Sequence, residues 1–139
     1  YQRRLFVHPY VCLCRRDHPL TRQVMNAENF CRHGHVHVAA AGTGHGDVEQ
    51  YLRRAGINRD IRLQVPHFVA VGPILQRSDL LATVPQRFAD TCLAPFELIA
   101  LPLPVPLPEI AINLFWHARH HKEPASQWRR ELMFELFSD

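Results

Sequence analysis

Leu80-Leu81-Ala82-Thr83-Val84-Pro85-Gln86-Arg87-Phe88-Ala89-Asp90-Thr91-Cys92 sets a short, mostly apolar run directly against a proline-led segment of helix formers. The run Leu80 to Val84 reads as a buried strand. Pro85, whose φ is already near the helical value and whose missing N–H is no loss there, predicts the first position of a helix through Cys92. The pattern repeats on both sides. Ile61, Leu63 and Val65 alternate with Arg62 and Gln64 as a strand does, and Pro66 predicts a helix through Leu75, bent at Pro73. Asp47 to Ala55 carries Val48, Tyr51, Leu52 and Ala55 at helical spacing, with acids in its first turn, Arg53 and Arg54 in its last, and Gly56 as a stop. His35 to Ala40 and Leu98 to Leu101 complete the strands of this block. Short apolar strands alternating with helices of about ten residues predict an α/β domain built on a parallel sheet.

Upstream, Leu5 to Arg15 is an extended run interrupted by Pro9, and Asn26 is placed to cap a short helix reaching Arg32. Downstream, Pro102, Pro104, Pro106 and Pro108 form a stiff extended spacer that marks a boundary. Beyond it come a strand, Ile110 to Trp116, and a helix, Ala125 to Phe137. That helix aligns Trp128, Leu132 and Leu136 on one stripe, against Arg129, Arg130 and Glu135. The stripe finds no partner sheet in the sequence, which therefore reads as the back part of something longer.

The 139 residues are 47% apolar and 21% charged, an ordinary globular composition. A net charge of +3 with arginines scattered in pairs, rather than gathered on one stripe, argues against nucleic-acid contact through this chain. No apolar run approaches the roughly 20 residues that span a bilayer, and no signal peptide is evident, so the expectation is a soluble cytoplasmic protein with no membrane contact. Cys12, Cys14, Cys31 and Cys92 form no C-x-x-C pair and read as free thiols, with Cys12 and Cys14 on one side of a strand.

Gly42-Thr43-Gly44-His45-Gly46, between a strand and a helix, has the chemistry of a small-anion cradle: glycines that free backbone N–H groups, one hydroxyl and one imidazole. Two other chemistries compete with it. His33, His35 and His37 alternate, with Cys31 nearby, and His117, His120 and His121 form a second group, so a histidine-rich metal-binding domain is the alternative. Imidazoles on a flat strand stand about 7 Å apart, too wide for one tetrahedral ion unless the strand bends. Cys92, His45 and Asp79 are the residue types of a nucleophile, base and orienter, but no motif frames Cys92, and the chain is read as neither an enzyme nor a cofactor binder.

Several segments, in order, resemble the effector-binding domain of LysR-type transcriptional regulators: Leu5 to Cys12, Asp17-His18-Pro19, Gly42 to Gly46, Val65-Pro66-His67-Phe68, Ser78 to Arg87, and Asn113 to His117 before Pro124-Ala125 and Trp128. Within that family, the turn at Thr43 to Gly46, the corner at Val65 to Phe68 and the strand Asn113 to His117 look most like the branch that senses salicylate and related aromatic acids. The resemblance implies a periplasmic-binding-protein-like (type 2) pair of α/β subdomains with the inducer between them. Residues 1–12 would be a hinge strand and the end of subdomain I, 13–101 a complete effector-binding subdomain II, and 102–139 the return hinge strand and C-terminal helix of an only partly present subdomain I.

It further implies a small aromatic carboxylate as inducer and a homo-oligomer, a tetramer at full length. DNA would be bound only through an N-terminal winged helix-turn-helix outside this sequence. The positions matching His8 and His45 contact inducer in the resembling regulators, and the one matching Arg87 is tied to inducer response. Thr43, a hydroxyl on the same turn, and His67, at the predicted helix start after Pro66, are added from the chemistry of the residues themselves. The candidate ligand-binding set is thus His8, Thr43, His45, His67 and Arg87.

Overall fold

A computed structural model of the chain describes residues 1–39 and 47–138. Two compact units are present, Pro9–Pro108 and Tyr1–His8 together with the segment from Glu109 onward. Pro9 breaks the N-terminal extended run into two strands, β1 (Gln2–His8) and β2 (Tyr10–Arg15), which join different sheets.

The larger unit holds β2, α1 (Ala27–Cys31), β3 (Gly34–Val38), α2 (Val48–Arg54), β4 (Asp60–Val65), α3 (Val71–Gln76), β5 (Leu81–Pro85), α4 (Gln86–Phe96) and β6 (Leu98–Leu101). Its five strands lie in the order β4-β3-β5-β2-β6. β3 is parallel to β4 and to β5, whereas β2 is antiparallel to both β5 and β6. The sheet is therefore mixed, not purely parallel as expected. Four strands point one way, each entered through a helix, and β2 alone opposes them because the chain enters it directly at Pro9 with no helical crossover.

Val11, Leu13, Val36, Val38, Ala82 and Val84 from one face of this sheet pack with Val71, Leu75, Ala89 and Cys92 of α3 and α4 into the main core. Each such side chain contributes about 1.5–3 kcal/mol by leaving water. Two backbone signals read from the sequence are present in full. The Asn26 side chain accepts from the Asn29 N–H at 2.8 Å to cap α1. After α2, Gly56 takes φ +81°, and the Gly56 and Ile57 N–H groups donate back to Arg53 and Leu52 at 3.0 and 2.9 Å.

Three local expectations need correction. No α-helix starts at Pro66: His67 is extended (φ −139°, ψ 146°), a short 3-10 turn covers Phe68–Ala70, and α3 begins at Val71. Pro73 explains the delay, since a residue without an N–H is tolerated only in a helix's first turn. Pro85 ends β5 in an extended conformation (φ −60°, ψ 142°), and α4 runs from Gln86 on to Phe96, past Cys92. The alternation of β4 is broken by a bulge at Arg62, which leaves Leu63 exposed on an edge strand.

In the smaller unit β1 pairs antiparallel with β7 (Ile110–Phe115), and α5 (Pro124–Phe137) packs on β1. Trp128, Leu132 and Leu136 are exposed, as the unpartnered stripe predicted. Arg130 does not belong to the outer polar face. Its guanidinium lies 4.8 Å from the Trp116 ring and donates to the His121 carbonyl at 2.7 Å, so α5 turns Arg130 towards the sheet.

Candidate functional site

On β3 the side chains alternate. Val36 and Val38 enter the core, so His35 and His37 face the other way, under α2. On β5, Leu81 is in register with His35, and Thr83, two residues on along the same face, is paired with Cys12 of β2. Among the buried apolar side chains outside the main core, such as Cys12, Leu52, Ile57 and Leu81, one ion pair is set. Arg59, whose side chain is 1% exposed, donates from Nε to Glu49 of α2 at 3.0 Å and from its terminal nitrogen at 2.5 Å. Glu49 also accepts from Arg53 at 3.3 Å. The guanidinium beside it holds the Glu49 carboxyl below the usual carboxylate range, although burial opposes this.

Next to this ion pair a small cavity of about 10 Å³, room for a single water-sized group, is lined by Tyr10, His37, Arg59, Phe68 and Thr83 together with valines of β3 and α2. Thr83 is 8% exposed, and its Oγ1 is buried without a hydrogen-bond partner among the described residues. Burial and then Arg59 push the His37 imidazole towards its neutral form. Burial, reinforced by Asp47 and Tyr51, raises the Tyr10 phenol to about 12, so it keeps its proton. The cavity is thus walled by neutral hydrogen-bonding groups and a cation already committed to a carboxylate. Such a space suits an uncharged oxygen better than an anion.

The candidate residues are distributed as follows. His8 is the last residue of β1, buried, opposite Ile110, with its ring edge-on to Phe6 at 5.3 Å. His67 is exposed on the extended corner after β4, and its side chain makes no capping bond there. Arg87 is the second residue of α4. The rings of the residues that follow His67 and Arg87, Phe68 and Phe88, lie 5.2 Å apart. Thr43 and His45, with the glycine turn that carries them, lie outside the described residues. Thr83 and Arg59 were not singled out by the sequence reading. A lone hydroxyl within Leu81-Ala82-Thr83-Val84 was the available signal for the first.

The histidines of the metal alternative are engaged locally. His35 is fully buried with Nε2 bonded to the Phe30 carbonyl at 2.9 Å, and His33 lies before the strand, edge-on to His18 at 4.6 Å. In the other group His117 caps a turn by accepting from the Arg119 N–H, His120 pairs with Glu123 at 2.8 Å, and His121 accepts from the Trp116 indole at 3.0 Å. Among the described residues no three His, Cys, Asp or Glu side chains are placed to hold one ion. Burial raises the Cys12 and Cys92 thiols and lifts Cys14 to about 11, which makes these three poor nucleophiles.

A mixed sheet entered at one proline, with a smaller β-β-α unit assembled from the two chain ends, is the architecture of a substrate-binding domain. The family model described as the LysR substrate binding domain matches residues 1–138, and the chain belongs to that family. It is 66% identical over 139 residues to the HTH-type transcriptional activator NahR of Pseudomonas putida and 55% identical to the HTH-type transcriptional activator NagR of a Ralstonia species. Both alignments cover 100% of this chain and 46% of the relative, so the chain spans about half the length of these proteins. Among solved structures, a transcriptional regulator from Vibrio parahaemolyticus superposes with a TM-score of 0.82 at 27% identity, covering 97% of this chain and 63% of that one. The regulatory domain of MexT, a transcriptional activator in Pseudomonas aeruginosa, gives 0.79 at 25% identity, covering 99% and 67%.

Proposed function

We propose that this chain is the inducer-sensing part of a transcriptional activator, and that it binds a small aromatic carboxylate of the salicylate type. Occupancy would control transcription of genes for aromatic degradation. The observation that carries the reading is the 66% identity to NahR across every residue of the chain. The residue resemblance to the salicylate-sensing branch supplies the ligand class. DNA contact falls to an N-terminal winged helix-turn-helix elsewhere in the full-length protein, which acts in the cytoplasm as a homo-oligomer, a tetramer by family resemblance.

The chemistry asked of the site is modest. A flat, singly charged ligand needs a slot of aromatic width and a few donors aimed at its carboxylate. His45 on the glycine turn and His8 at the end of β1 supply imidazole donors, Thr43 a hydroxyl, and Arg87 and His67 the basic surroundings. A ligand that binds one conformation of the regulator more tightly than another shifts the population towards it, and only that difference in affinity can be transmitted to the DNA-binding part.

A promoter-reporter assay tests the reading. The wild-type full-length protein should activate transcription when salicylate is supplied, and His45→Ala should lose that response while accumulating normally. A wild-type protein indifferent to aromatic carboxylates would overturn it.

A further inference from the structure

The small cavity at Thr83 lies among elements of the larger unit alone, and its composition is unusual for a core. Thr83 is the single hydroxyl on an otherwise apolar strand, it is more than nine-tenths buried, and its oxygen has no partner among the described residues. A buried hydroxyl left without a partner is destabilising. Around it stand the His37 ring and the Tyr10 phenol, while the Arg59 charge is already met by Glu49. The Phe68 ring and the valines close the remaining wall. A carboxylate oxygen entering here would meet no uncommitted positive charge. A neutral hydroxyl would meet a partner able both to donate and to accept.

We propose that the notch formed by Thr83, His37 and Tyr10 is the specificity subsite for one uncharged ring hydroxyl of the inducer, with Thr83 Oγ1 as its hydrogen-bond partner. This rests on the aromatic-carboxylate reading above and adds to it: the carboxylate is gripped elsewhere, and Thr83 tells a hydroxylated ring from a bare one. At about 10 Å³ the cavity has room for an oxygen-sized group and not for an aromatic ring. An inducer without the hydroxyl leaves Thr83 unsatisfied, which is how a polar pocket rejects an analogue lacking its partner.

The test compares salicylate with benzoate, which differ by that hydroxyl, by calorimetric titration of the full-length protein. The wild type should bind salicylate about tenfold more tightly than benzoate, the factor expected for one net hydrogen bond of about 1.4 kcal/mol. Thr83→Val, nearly the same shape without the hydroxyl, should lose that tenfold for salicylate and keep its benzoate affinity. Should valine compromise folding, judged by the thermal melt, Thr83→Ser and Thr83→Ala make the same comparison, with serine expected to keep the discrimination and alanine to lose it. Equal losses for both ligands, or no change in either, overturn the subsite and leave the sensor reading intact. Failure of the wild type to bind either acid instead removes the sensor reading itself, and the subsite with it.

Discussion

The backbone N–H of Gln86, the first residue of α4, donates to the carbonyl of Pro9 at 2.9 Å. Both residues belong to the larger unit, so the chain leading into β2 is tied to the start of the helix that carries Arg87. One unpaired donor of a helix N-terminus is satisfied by a carbonyl that has no strand partner of its own at the break between β1 and β2.

Replacing Gln86 by proline removes that bond, together with the exposed side-chain bond from Gln86 to Asp90 at 2.8 Å. Pro85 already holds the extended conformation that a following proline demands, and the first helical position tolerates proline, so α4 itself should persist. Gln86→Pro should lower the unfolding free energy by about 1 kcal/mol, the worth of one net hydrogen bond, as read from denaturant melts. A loss several times larger would mean that the helix start had been displaced.

The Arg59 and Glu49 pair should behave as a buried unit. With the Arg59 side chain 1% exposed and Glu49 17%, Arg59→Met leaves the Glu49 carboxylate with only the exposed Arg53, at 3.3 Å, as an ion-pair partner and should cost about 3 kcal/mol. Glu49→Gln in the same protein should recover most of that loss. A double-mutant cycle by chemical denaturation gives the coupling directly.

His35 sets an acid limit on stability. Burial holds its pKa down to about 4, against an ordinary value of 6.5, with the Phe30 carbonyl opposing. In the window between those values the unfolded chain takes up a proton that the folded chain refuses, so stability is complete above pH 6.5 and declines as pH falls towards 4. The decline should reach about 3 kcal/mol from this group alone. Chemical denaturation across that range should show it, and His35→Leu, less stable at pH 7 because the Phe30 carbonyl loses its donor, should show a flatter slope.

What could be read from the residues alone, and what could not, follows from how local each signal is. The Asn26 cap and the Gly56 stop are settled by neighbours within five positions, and both were legible. The late start of α3 was legible in principle, because Pro73 forbids a longer first turn, but the more familiar role of Pro66 as a helix opener pointed elsewhere. The orientation of β2 was not legible: it depends on where a neighbouring unit releases the chain. Arg130 has the chemistry of a solvent-facing residue and is turned inward only because Trp116 offers its ring face. Thr83 stayed hidden because its significance depends on three other elements converging beside it.

The central claim, that this chain senses an aromatic carboxylate, is tested most directly by calorimetric titration of the full-length protein with salicylate. The account predicts one saturable site per chain, abolished in His45→Ala with an unchanged thermal melt. A wild-type protein that gives no binding heat and no rise in melting temperature at any salicylate concentration would contradict it.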